Sequence, residues 1–152
     1  MPLSSVKEYV NQFFDHLEVW EDINRGQAHK QSMHKRTMRF LNDCSIENAF
    51  AVYEAFFEAY WIGTQNSGNP FIELVQRLRL FEENVGQIVP GQRDHCVHSV
   101  YVFILGLAIH ARNRALRLAF RGTVLDNPVY RDLYRTKHEE FLYRWGIASL
   151  FH

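Results

Sequence analysis

Along most of this sequence apolar residues return at steps of three and four, and nowhere do they alternate strictly for long enough to make a sheet. A three-to-four step gathers side chains on one face of an α-helix, whereas a strand needs a step of two. The pattern predicts an all-α chain, a compact bundle of about six or seven helices. With 152 residues, 47% apolar and 14% aromatic, the chain carries enough apolar surface for one core. A single helical domain over 1–152 is expected, because the loop at 64–70 is too short for a linker and no internal repeat is visible.

Ser5 with Glu8 reads as a capping box, followed by Val6, Tyr9, Val10, Phe13, Leu17 and Trp20 on one face. Gly26 is expected to break this helix, and a second spans Ala28 to Leu41. Ser45 caps a third, in which Ile46, Ala49, Phe50, Tyr53, Phe56, Phe57, Tyr60 and Trp61 form a wide apolar stripe before Gly63. Asn69 and Pro70 open a fourth with Leu74, Val75, Leu78 and Phe81 as its core face and Gly86 as its stop. Asp94 caps a long central helix from about His95 to Arg112, a basic stretch leads to Gly122, and Asn127 with Pro128 opens a last helix whose apolar face includes Leu133, Phe141, Trp145, Ile147, Leu150 and Phe151.

Charge and cysteines narrow the function classes. Lys plus Arg and Asp plus Glu are both 17, so no net field recruits nucleic acid or an anionic membrane, and any basic site must be local. Cys44 and Cys96 match neither a zinc spacing nor a secreted disulfide framework, which points to free thiols in the cytoplasm. The N-terminus shows no secretory signal. The longest apolar run, Val97 to Ala111, is interrupted by His98, Ser99 and His110 and falls short of the roughly 20 residues a membrane span requires.

Chemistry concentrates between Arg93 and His152, where RDHCVHSVYVFILGLAIHA is followed by EEFLYRWGIASLFH. The first segment, through His98, Ser99 and Val102, resembles the opening helix of the HD-domain superfamily of metal-dependent phosphohydrolases. The second, Ala148 to His152, resembles the helix that ends in that superfamily's His-Asp doublet. The resemblance covers residues 93–152, while 1–92 carry no recognised motif. It implies a divalent metal held by His98, His152 and an Asp directly after His152, activating a hydroxide against a phosphate ester of a nucleotide or related molecule. Without that Asp the site is incomplete, and this chain alone is expected to be inactive.

Around this core lie secondary candidates. His95, one turn before His98, is a substrate contact or a partner for the ligand. Arg112, Arg114, Arg117 and Arg121 form either a phosphate-binding rim or a solvated helix face. The cluster His29, Lys30, His34, Lys35, Arg36 and Arg39 poses the same alternative. His110 is expected at the surface, or capping its helix. The six aromatics from Phe50 to Trp61 fit core spacing rather than base stacking. The rival class is a helical protein-interaction or oligomerisation module; in either case a homo-oligomer is expected. Nucleic-acid binding is a weaker third option that neutral charge opposes.

Overall fold

The computed structural model describes residues 3–19, 23–63, 70–88, 95–123 and 137–151, and every regular element among them is an α-helix. These are α1 (Leu3–Asp15), α2 (Ile23–Asn42), α3 (Ile46–Tyr60), α4 (Pro70–Ile88), α5 (His95–Arg112), α6 (Arg114–Thr123) and α7 (Lys137–Leu150). The central helix is α5, which packs against α1, α3, α6 and α7; α2 packs on α1 and α3. None of the described helices is long and apolar enough to cross a membrane.

Local sequence chemistry sets several boundaries. Ser45, in extended backbone, accepts a hydrogen bond from the Asn48 amide, and the Asn48 side chain donates to the Asp43 carbonyl at 2.8 Å, closing the α2–α3 turn. Asn113 caps α6 by accepting from the Leu116 amide at 3.1 Å. Trp61 ends α3 in the left-handed region at φ 56°, its amide donating to the Phe57 carbonyl.

Three expected boundaries move. Ser5 lies inside α1, which begins at Leu3, so it is no N-cap. Gly26 is the fourth residue of α2 rather than a break; packing of α2 on α1 and α3 outweighs the roughly 1 kcal/mol that glycine costs a helix. Gly86 likewise lies within α4. The first helix ends at Asp15, yet Leu17 stays buried, held by its amide bond to the Phe14 carbonyl and by Lys30 donating to its own carbonyl at 2.7 Å. Trp20, Asn69, Asp94, Asn127, Pro128 and Leu133 lie outside the described residues.

The core is aromatic. Phe13, Phe14, Phe40, Phe56, Phe57 and Phe103 are buried essentially completely, each contributing about 1.5–3 kcal/mol of transfer free energy. Phe13 meets Phe14 edge-on at 5.5 Å and Phe56 meets Phe103 at 6.1 Å. Two glycines let helices close on this core. A Cβ at Gly106 would fall inside the Trp145 indole, and one at Gly146 inside the Phe56 ring. The indole N–H at this seam donates to the Phe103 carbonyl at 2.9 Å.

One helix departs from its expected burial. On α4, Val75 is buried and Phe71 lies 6.4 Å from Phe57, but Leu74 is 61% and Phe81 63% exposed, and Leu78 is exposed as well. The periodic stripe is real; what the sequence does not show is that α4 packs chiefly on α3, leaving most of the stripe uncovered. Trp61, expected in the core, is exposed for a related reason: its left-handed backbone turns the chain off α3. Phe151, touching Phe57 and Phe71, is also partly exposed.

Candidate functional site

The resemblance singles out the start of α5, and there the structure separates neighbouring residues by face. Cys96 and Ser99 are buried, while His95 and His98 are exposed. They head an outward stripe that continues through Tyr101, Leu105, Ile109 and Arg112, so α5 is covered by its neighbours on one side only. Tyr101 donates from its hydroxyl to the Cys44 sulfur at 2.6 Å, and this bond, with burial and the thiol's charge, pushes the phenol above its ordinary value. Both cysteines are free.

His98 supplies one imidazole to its surroundings. Among the described residues no three His, Cys, Asp or Glu side chains are placed to hold a metal ion, and His152 lies outside them. A catalytic zinc takes three protein ligands and leaves one position open, and the described residues do not by themselves supply that set.

The predicted substrate contacts are not brought together. His95 and Arg112 stand at opposite ends of α5, about 25 Å apart at 1.5 Å per residue. Arg112 and Arg114 line a shallow groove of about 550 Å³ with Ile109, Asn113 and Ala115. The Arg112 guanidinium also lies over the Tyr9 ring at 5.5 Å. Arg117 turns elsewhere: its Nη1 donates to the carbonyls of His110, at 2.8 Å, and Ala111, capping the end of α5. The side chain of Arg121 lies outside the described residues.

Much of the basic character of α2 is absorbed internally. Arg36 pairs with Glu54 at 3.3 Å and donates to the Ala51 carbonyl, tying α2 to α3. Lys30 is bound to Leu17, as above. His34 bonds Asn11 at 2.7 Å and stacks on Phe14. Burial holds the His34 pKa below its ordinary 6.5, with nearby Asp15 opposing and Lys30 assisting.

A cavity lined by several polar side chains lies where the sequence gives no motif. Its volume is about 230 Å³, and its described lining is Gln12, Phe13, His16, His110, Ala111, Arg117 and His138. Four helical segments meet there: the end of α1, the end of α5, α6 and the start of α7. His110, expected at the surface, is only 3% exposed. It lies flat on Phe141 at 3.9 Å, with His138 edge-on at 5.5 Å and Phe13 at 5.6 Å. The reason is that α1 and α7 both close over the end of α5, which local spacing does not reveal. His16, just past α1, bonds the Gln12 carbonyl through Nδ1 at 2.7 Å, which leaves Nε2 available.

Comparison with protein-family models, with curated proteins and with solved structures finds no match to this chain.

Proposed function

We propose that this chain is the N-terminal region and the opening part of the catalytic domain of an HD-type metal-dependent phosphohydrolase. Its substrate would be a nucleotide or related phosphate ester, and the chain alone would be inactive. The observation that supports this reading best is the antiparallel register of α7 on α5. Phe141 stacks on His110 and Trp145 bonds Phe103, so the two helices run in opposite senses. Continued at about 1.5 Å per residue, that register brings Leu150 to about the level of Val100, within a turn of His98. A two-helix metal site requires such a return of the chain. The metal, when bound, would supply a hydroxide at neutral pH. His98 on its exposed face would provide one ligand from this chain, with His152 and the following Asp completing the set.

The test compares this chain with a version carrying the residues encoded after His152, measuring bound metal and hydrolysis of nucleotides and phosphodiesters. The expected result is metal and turnover in the longer version only, both lost in His98→Ala. Metal-independent turnover, or metal retained in full by His98→Ala, would remove the reading.

A second reading is favoured by one observation, the exposed stripe Phe71, Leu74, Leu78 and Phe81 on α4. These four recur at helical steps and form an apolar face that an oligomer would cover. In this reading the chain is an interaction module that pairs with another copy. Sedimentation velocity without metal decides it: an oligomer dispersed by Leu78→Glu supports the module, and a monomer at high concentration opposes it. Both readings are those of a cytoplasmic protein.

A further inference from the structure

We propose that the cavity closed by α1, the end of α5, α6 and the start of α7 is a binding site for a compact oxyanion, a phosphate group either free or on a small ester. It stands apart from the phosphohydrolase reading, because His110 lies twelve residues along α5 from His98, about 18 Å.

The argument starts from the lining. Three imidazoles and one guanidinium face the space, with the Gln12 amide beside them, and no carboxylate is among the described lining residues. The acids nearest in sequence to the lining, Asp15 beside His16 and Glu139 beside His138, are not among the described lining residues, and Glu140 is engaged by Arg144 at 2.5 Å. A cavity walled by one guanidinium and three imidazoles, with no carboxylate among its described lining, favours a negatively charged occupant.

Donor geometry agrees with this. Arg117 uses Nη1 on the two carbonyls that end α5, leaving Nε and Nη2 with no acceptor among the described residues. The capping bonds fix the guanidinium plane, so the remaining donors are held in place before any ligand arrives. His16 donates Nδ1–H to the Gln12 carbonyl, and its Nε2 is a second donor when the ring is protonated. His110 is fixed by its stacking on Phe141.

A metal ion is a poorer fit for the same residues. Three imidazoles would suit zinc if they converged, yet among the described residues no such trio is placed to share one ion. The groups are spread around a space rather than aimed at a point. The volume favours a small ligand over a nucleotide, since about 230 Å³ lies below the roughly 300–1,000 Å³ of sites that enclose drug-sized ligands. A tetrahedral oxyanion with a short organic arm or a few waters remains.

The experiment titrates inorganic phosphate into the full chain at ionic strength held constant with chloride, following histidine ring protons by NMR. The expected result is saturable shifts confined to His16, His110 and His138, with His95 and His98 unmoved. His16→Ala, at an exposed position outside the helices, should weaken phosphate binding about tenfold while leaving the phosphate-free melting temperature nearly unchanged. Arg117→Gln should weaken it further. Shifts spread evenly over all the histidines, no saturable shift, or unchanged affinity in His16→Ala would overturn the proposal. If Arg117→Gln fails to fold, His16→Ala still decides it.

Discussion

At its start α5 presents His95 and His98 to solvent; at its end it buries His110 among Phe13, Phe120 and Phe141, with His138 edge-on to its ring. One helix thus carries two histidine-bearing ends with opposite characters. The first carries the histidine on which the proposed function rests and has little built around its side chains among the described residues. The second has no motif and is walled by four segments. A motif is a property of neighbouring residues in the chain, whereas a cavity is made by residues far apart in it.

The largest effect that would break this contrast is expected from Phe141→Ala, which removes the ring beneath His110. It should cost about 3–5 kcal/mol, measured by urea unfolding. A loss below about 1 kcal/mol would mean that this end of α5 is no more packed than the other.

Next comes Gly106→Ala, midway along the α5–α7 seam. Alanine in a helix interior normally gains up to about 1 kcal/mol over glycine. Here the added methyl meets the Trp145 indole, so the expected outcome is a loss of about 1–3 kcal/mol and of the indole bond to Phe103. The sign alone is informative, because a stabilised variant would place the helices farther apart.

Acid sensitivity sharpens the comparison if His34 is first taken out of it. Its folded pKa lies below 6.5, so the unfolded chain binds that proton more readily. The resulting stability is full above the unfolded value. It falls as pH drops from 6.5 through the lowered folded value, and no further change comes from His34 below that. His34→Gln should flatten this part of an unfolding-versus-pH curve, and any acid dependence left over belongs to other groups, including those at the end of α5. A curve unchanged in His34→Gln would show that burial does not depress this imidazole.

The smallest effect is expected at the other end. His98→Ala, on an exposed position, should change stability by no more than about 0.5 kcal/mol. A loss several times larger would reveal a structural role for His98 and erase the contrast between the two ends.

What was legible in the sequence follows the range of the interactions concerned. The Ser45 cap, the Pro70 start and the limits of α5 at His95 and Arg112 depend on residues within one turn, and they appear where the spacing predicts. Gly26 was misleading because its breaking tendency is a local preference that packing overrode. The α4 stripe showed which side chains share a face but not what lies opposite that face. The cavity was least legible: Gln12, His16, His110, Arg117 and His138 share no spacing, and only the folding of α1 and α7 over α5 assembles them. The one available signal was His110 itself, a polar residue ending an otherwise apolar run. Its place near the end of α5 suggests a surface or helix-capping role, whereas its ring faces inward.

The glycine at 106 and the indole at 145 divide one fixed volume between them. Mutational drift at either position is therefore constrained by the other: a larger residue at 106 becomes tolerable only once 145 has shrunk, and a smaller ring at 145 leaves a gap that only growth at 106 refills. The two sites should change as a pair or not at all, although 38 residues of chain separate them.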